Sequence, residues 1–163
     1  MNHTSDGLVV EVFVPRKTVF EKIKVTTGAG AFKADHIESK ELSLELGAGK
    51  AEISELIAHI SADIDSGAGQ VTVSGGMLAN LDFDMGVGKV ELKSELVGKA
   101  DVDCGIGELE LVLLGGSESY NIDIEKGIGS ATINGEASAK HHGGGSNNVD
   151  IDGGIGKIVV EFE

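Results

Sequence analysis

A Gly-x-Gly triplet recurs seven times along the chain, at Gly28-Ala29-Gly30, Gly47-Ala48-Gly49, Gly67-Ala68-Gly69, Gly86-Val87-Gly88, Gly105-Ile106-Gly107, Gly127-Ile128-Gly129 and Gly154-Ile155-Gly156. Successive first glycines are 19, 20, 19, 19, 22 and 27 residues apart, and the middle residue is always small or aliphatic. Recurrence at near-constant spacing marks a repeat architecture, in which each unit buries its apolar face against its neighbours. Glycine tolerates the positive φ that a sharp bend often needs, so each triplet reads as a structural corner.

The flanks repeat in phase with the corners. Five and three residues before each first glycine stand apolar pairs: Ile23/Val25, Leu42/Leu44, Ala62/Ile64, Leu81/Phe83, Ala100/Val102, Ile122/Ile124 and Val149/Ile151. The residues between and after them are polar, and apolar alternation resumes beyond the corner at Ala51/Ile53, Val71/Val73, Val90/Leu92, Leu109/Leu111, Ala131/Ile133 and Ile158/Val160. A period of two is that of a strand with one buried face. In the second repeat Leu42, Leu44, Leu46 and Ala48 are expected inward, followed by Ala51 and Ile53, with a shift of parity across Gly49-Lys50. The expected fold is therefore all-β: a single-stranded parallel β-solenoid of about seven coils, each of 19 to 27 residues. An antiparallel sandwich of hairpins is the alternative, but identical triplets at alternate turns favour the solenoid.

The chain of 163 residues is the length of one domain. Residues 1–7 read as a flexible N-terminus, 8–163 as the solenoid, and 136–148 as a flexible insertion. Leu8, Val10, Val12 and Val14 are expected to form a strand before Pro15, with Phe13 and Phe20 covering the first coil. Glu161, Phe162 and Glu163 are expected to place charges beside the last exposed edge, where they discourage aggregation.

Val14-Pro15, the stretch Phe20-Glu21-Lys22-Ile23-Lys24-Val25 and the Gly-Ala-Gly corners between apolar pairs resemble a bacterial adhesin-like β-strand-repeat family of unknown function. The likeness runs from about Leu8 to the end. It implies a right-handed, β-helix-like solenoid, often the extracytoplasmic or cell-surface part of a longer, membrane-associated bacterial protein. It implies no catalytic residues. The later Gly-Val-Gly and Gly-Ile-Gly corners, and the insertion before Val149, depart from the pattern.

Charge and composition exclude several functions. A net charge of −14 disfavours nucleic acid and anionic membrane surfaces, because both select a basic face. One cysteine rules out an internal disulfide. The opening residues lack the apolar core of a signal peptide, and no apolar run approaches the ~18 residues of a membrane-spanning helix. A phosphate loop is equally excluded, because the glycines lead into strands and not into a helix.

The outward positions before the corners carry an acidic ladder: Asp63/Asp65, Asp82/Asp84, Asp101/Asp103, Asp123/Glu125 and Asp150/Asp152. A solvated acidic face is the preferred reading. Loose binding of Ca²⁺, which takes about six to eight oxygen ligands, is the alternative, alone or bridging an anionic polysaccharide. The calcium nonapeptide repeat would need Asp two residues after each corner, where Phe32, Ala51, Val71, Val90, Leu109, Ala131 and Ile158 stand instead. No other cofactor is indicated.

Nothing marks a catalytic pair. Sugar hydrolysis uses two carboxylates in a cleft, often beside aromatic platforms, yet the chain has no Trp and Tyr120 is its one Tyr. Cys104, at the same inward position as Leu46 and Met85, reads as a core thiol. His141 and His142 read as solvated loop residues, and His36 and His59 as corner residues and not a pH sensor. The functional expectation is a non-enzymatic structural or interaction module with an unidentified protein or glycan partner. A further alternative is an accessory domain of a longer, membrane-anchored regulatory protein.

Overall fold

The structure, a computed structural model, describes residues 9–15, 17–137 and 141–163. The expected flexibility of residues 1–7 lies outside them. Almost every described residue is in a strand: β1 (Phe20–Val73), β2 (Gly76–Leu113), β3 (Tyr120–Ile133), β4 (Glu136–Ala137), β5 (His141–Gly143) and β6 (Asn147–Phe162). A three-residue 3-10 turn, Ser117–Ser119, is the one helical element among them. The protein is all-β.

The strands form one mixed sheet in the order β1-β2-β6-β3-β4, with β5 also on β3. Pairing is parallel between β1 and β2, β2 and β6, and β6 and β3. It is antiparallel where β4 and β5 meet β3. Register is set by the repeat: Ile64 lies against Phe83, Gly69 against Gly88 and Val71 against Val90. Val102 lies against Ile151, and Ile151 against Ile124. Apolar residues thereby pile on apolar residues, and the buried core includes Leu44, Ile53, Ile64, Phe83, Leu92, Leu111 and Ile151, each no more than 1% exposed. The register shift between Ala58 and Ala62 absorbs the one 20-residue step, and Asn80 Nδ2 donates to the Ile60 carbonyl there at 2.8 Å.

Two separate constraints require glycine at the corners. The second glycine of each triplet has φ between 125° (Gly30) and 151° (Gly156), a region that L side chains rarely adopt. The first glycine is needed for close approach. A Cβ on Gly47 would strike the Gly28 carbonyl, and the same relation runs from Gly67 to Gly47, Gly86 to Gly67, Gly105 to Gly86, Gly154 to Gly105 and Gly127 to Gly154.

That sequence of contacts corrects the expected end of the molecule. β6 does not follow β3 as a terminal strand; it lies between β2 and β3. Glu161, Phe162 and Glu163 therefore do not guard an open edge. The Glu163 amide donates to the Leu113 carbonyl at 2.9 Å, its carbonyl accepts from Gly115 at 2.9 Å, and its carboxylate pairs with Lys93. In its described residues the 136–148 insertion is strand-paired through β4 and β5 rather than a loop.

Two inward assignments also change. Ala48 is exposed, because at a convex corner the middle side chain lies outside the bend. Residues 9–15 form no strand, and Phe13, at 88% exposure, does not cover the first repeat. Phe20 is half-buried.

Candidate functional site

The acidic ladder is built by the same register that builds the core. Alternation puts Asp63 and Asp65 on the opposite face from Ala62 and Ile64, and parallel pairing repeats that placement in each repeat. Asp63 lies against Asp82 and Asp65 against Asp84. Stacking of the Gly105 corner on Gly86 carries the rows on to Asp101 and Asp103. These meet Asp150 and Asp152, which in turn meet Asp123 and Glu125. The ten carboxylates thus make two rows across one outward face, with rungs ~4.8 Å apart.

The rows differ in how their charge is met. Lys99 lies 2.9 Å from Asp101 and 3.9 Å from Asp150. His141 Nδ1 lies 3.1 Å from Asp123. In the second row the carboxyl of Asp84 is held above the ordinary aspartate range, first by burial and then by the charges of Asp103, Asp82, Asp65 and Asp63. Asp152 is raised likewise, by burial and then by Asp103, Glu125, Asp150 and Asp101. Burial first, and like charges in register second, oppose ionisation of these two carboxylates.

Beside Asp103, Asp152 and Glu125 runs an open groove that Lys126 also lines. Among the described residues no three acidic, histidine or cysteine side chains converge as a metal site. The weak candidates Asp63, Asp65, Asp82, Asp84, Asp101, Asp103, Asp123, Asp150 and Asp152 are therefore brought together as rows and not as a cage.

Sequence reasoning missed a second ladder. The middle corner residues point outward, so Val87 (51% exposed), Ile106 (50%), Ile155 (50%) and Ile128 (74%) form an apolar ridge alongside the second acidic row. The registers Ala68 to Val87, Ile106 to Ile155 and Ile155 to Ile128, with Gly105 and Gly107 stacked on Gly86 and Gly88, make it continuous. Its signal was present in the drift from Ala to Val to Ile at these positions, but alternation in the second repeat assigned their counterpart Ala48 inward.

The remaining candidates are placed as follows. Cys104 is buried, and burial, with help from Asp103 and Asp84, pushes its thiol up to about 12, far from a reactive thiolate. It lies against Gly153, and the space there is filled by Ile158. His36 and His59 are joined through Glu38: His59 Nε2 lies 2.8 Å from Glu38, and His36 lies 3.6 Å from Glu38 and 2.7 Å from Glu55. The glutamates of this cluster were not foreseen. The His142 ring rests 5.8 Å from that of Phe162.

Among the described residues no helix is long and apolar enough to cross a membrane. Neither a curated protein nor a solved structure matches the chain. The model of the Toastrack DUF4097 family matches residues 2–148, and with its repeated glycine corners and all-β sheet this chain belongs to that family of β-solenoid-like domains of unknown function.

Proposed function

We propose that the chain is a non-enzymatic interaction module, a mainly parallel solenoid of about seven coils that presents an acidic face to a cationic, partly apolar partner. The observation that supports this reading is the pairing of two ladders at one corner. Rows of carboxylates run beside the exposed ridge of Val87, Ile106, Ile155 and Ile128. Contiguous exposed apolar surface rimmed by charge is characteristic of interaction sites. The acidic rows would steer a basic partner, and the ridge would supply the apolar burial that holds it. The partner is a protein or glycan surface carrying cationic groups, at a bacterial surface, with this chain acting as an adhesin-like or accessory part of a longer protein.

The test is binding of a cationic amphipathic peptide to the whole chain, followed by calorimetry over a range of salt. Affinity should fall with salt, and should fall at least about tenfold when Asp82, Asp84, Asp101 and Asp103 are changed to Asn. Serine at Val87, Ile106 and Ile155 should weaken binding without removing its salt dependence. Unchanged affinity in both variants would remove the reading.

A second reading, collection of divalent cations along the rows, draws on the raised Asp84 and Asp152, whose repulsion a cation would relieve. Thermal unfolding in Ca²⁺, in Mg²⁺ and in chelator at fixed ionic strength separates the two. A ligand that binds only the folded state at a hundred times its dissociation constant stabilises it by about 2.7 kcal/mol. A Ca²⁺-specific rise that is lost in the Asn variant supports cation binding. An equal rise with monovalent salt leaves the face as screened charge.

A further inference from the structure

The apolar ridge separates two rows of different character. On one side, each ridge residue stands three residues after a carboxylate of the second acidic row: Asp84 before Val87, Asp103 before Ile106, Asp152 before Ile155 and Glu125 before Ile128. Among the described residues Lys99 and His141 serve the first row instead, Lys99 on Asp101 and Asp150 and His141 on Asp123. Lys126 donates to the Gly129 carbonyl at 3.2 Å. On the other side, two residues beyond the ridge, stand Lys89, Glu108, Lys157 and Ser130. That row settles its own charge: Lys89 lies 2.6 Å from Glu91 and 3.9 Å from Glu108, and Lys157 lies 3.1 Å from Glu108. The surface therefore calls for cations on one flank of an apolar stripe and not on both.

The spacing of the ridge selects the shape of what covers it. Its residues repeat once per rung, ~4.8 Å apart, from Val87 through Ile106 and Ile155 to Ile128. Toward β1 the ridge falls to Ala68 and Ala48, so its bulky part rises through three steps, ~14 Å. An α-helix laid along it returns the same face every turn, about 5.4 Å, and drifts from the rungs by about 2 Å over those steps. An extended strand returns the same face every about 6.8 Å and drifts by about 6 Å, more than a whole rung. A polyproline helix returns it every about 9.3 Å and meets only alternate ridge residues. A second copy of this chain would match the rungs, but each copy carries a net charge of −14, which opposes the contact.

We propose that the ridge and the second acidic row receive an amphipathic α-helix of about ten residues or more, running along the stack. Its apolar stripe covers Val87, Ile106, Ile155 and Ile128, and Lys or Arg on one flank faces Asp84, Asp103 and Asp152. The inference rests on the reading of the acidic face as a surface for a cationic, partly apolar partner, and gives that partner its form. Reversing a helix exchanges its flanks, so the flank that carries the cations fixes the direction in which it runs.

The experiment measures binding of two peptides, equal in length and in Leu, Lys and Gln content, to the full chain by calorimetry, with circular dichroism of each complex. In one peptide Leu recurs every three or four residues, with Lys on one flank and Gln on the other; in the second Leu alternates with polar residues. The helical pattern is expected to bind at least about tenfold tighter and to gain helical signal in the complex. Changing Asp84, Asp103 and Asp152 together to Asn should weaken it at least about tenfold, and changing Asp101 and Asp150 to Asn should cost less. Asp84, Asp103 and Asp152 are exposed, so their replacement leaves the core intact. Three results overturn the helix while leaving the acidic face a binding surface: equal or tighter binding of the alternating peptide, binding without a gain in helical signal, or a second-row variant that costs no more than the first-row one. If neither peptide binds, the broader reading of the face falls and this inference falls with it.

Discussion

Tyr120 sits in the core with 1% of its surface exposed, its hydroxyl donating to the Leu114 carbonyl at 2.7 Å and accepting from the Leu96 amide at 3.3 Å. Removing that hydroxyl leaves a buried donor and acceptor unmatched, which costs about 1–3 kcal/mol. Tyr120→Phe should therefore lower stability by about that amount in urea titrations. Ser39 is the converse case, a wholly buried hydroxyl without a partner. Ser39→Ala should leave stability unchanged or raise it by up to about 1 kcal/mol. The carboxylates set the pH dependence. Asp84 and Asp152 have folded-state values above their ordinary range, so in that window the folded chain binds more protons than the unfolded one. Their contribution to stability is then largest when protonated and falls as pH rises through the raised values. Glu91 is lowered, first by its hydrogen bond from Lys89, and its contribution is lost as pH falls through its depressed value. The double variant Asp84→Asn, Asp152→Asn should be more stable than the unmodified chain at pH 7, by no more than about 1 kcal/mol because these groups are exposed and screened. The gain should shrink as the pH is lowered toward the ordinary aspartate range. An acid titration of the unfolding temperature in both proteins checks the sign.

At the scale of elements, the placement of β6 decides which strands depend on which. It supplies the ladder partner of β2 on one side and of β3 on the other, while β4 and β5 each pair by ladder with β3 alone. Ile151, 1% exposed, packs in register with both Val102 and Ile124. Ile151→Ala should cost about 2–5 kcal/mol, as for other buried aliphatic truncations. Ala137→Gly, in exposed β4, should cost less than about 1 kcal/mol. Hydrogen exchange in Ile151→Ala should loosen β2 and β3 together; loosening of β6 alone would contradict the strand order. The periodicity located all of these long strands, but it did not order the last two. β3 and β6 both carry Gly-Ile-Gly between the same kinds of apolar pair, so either offers β2 an equivalent partner. The 27-residue step between their corners left room for the chain to double back.

For the molecule as a whole, a charge of −14 and an acidic face predict rising stability with added salt, whatever the cation, up to the point where the rows are screened. Midpoints of unfolding in NaCl and in tetramethylammonium chloride should rise together; a rise in only one would show selective ion binding. The sequence by itself determined the class of fold, the corners, the inward ladders and the outward acidic rows. Those features are local: an alternation of period two, a glycine where φ is positive, and a repeat length that brings like onto like. Only the tertiary structure decided the rest. It placed β6 inside the stack, because two near-identical strands compete for one edge and pattern cannot choose between them. It turned the middle corner residues outward, because a convex bend reverses the side that alternation assigns. It also left Ile23, Val25 and Phe32 of the first repeat only partly buried while Tyr120 and Ile122 of β3 are fully buried, because capping depends on what lies beyond the repeat, where periodicity carries no information.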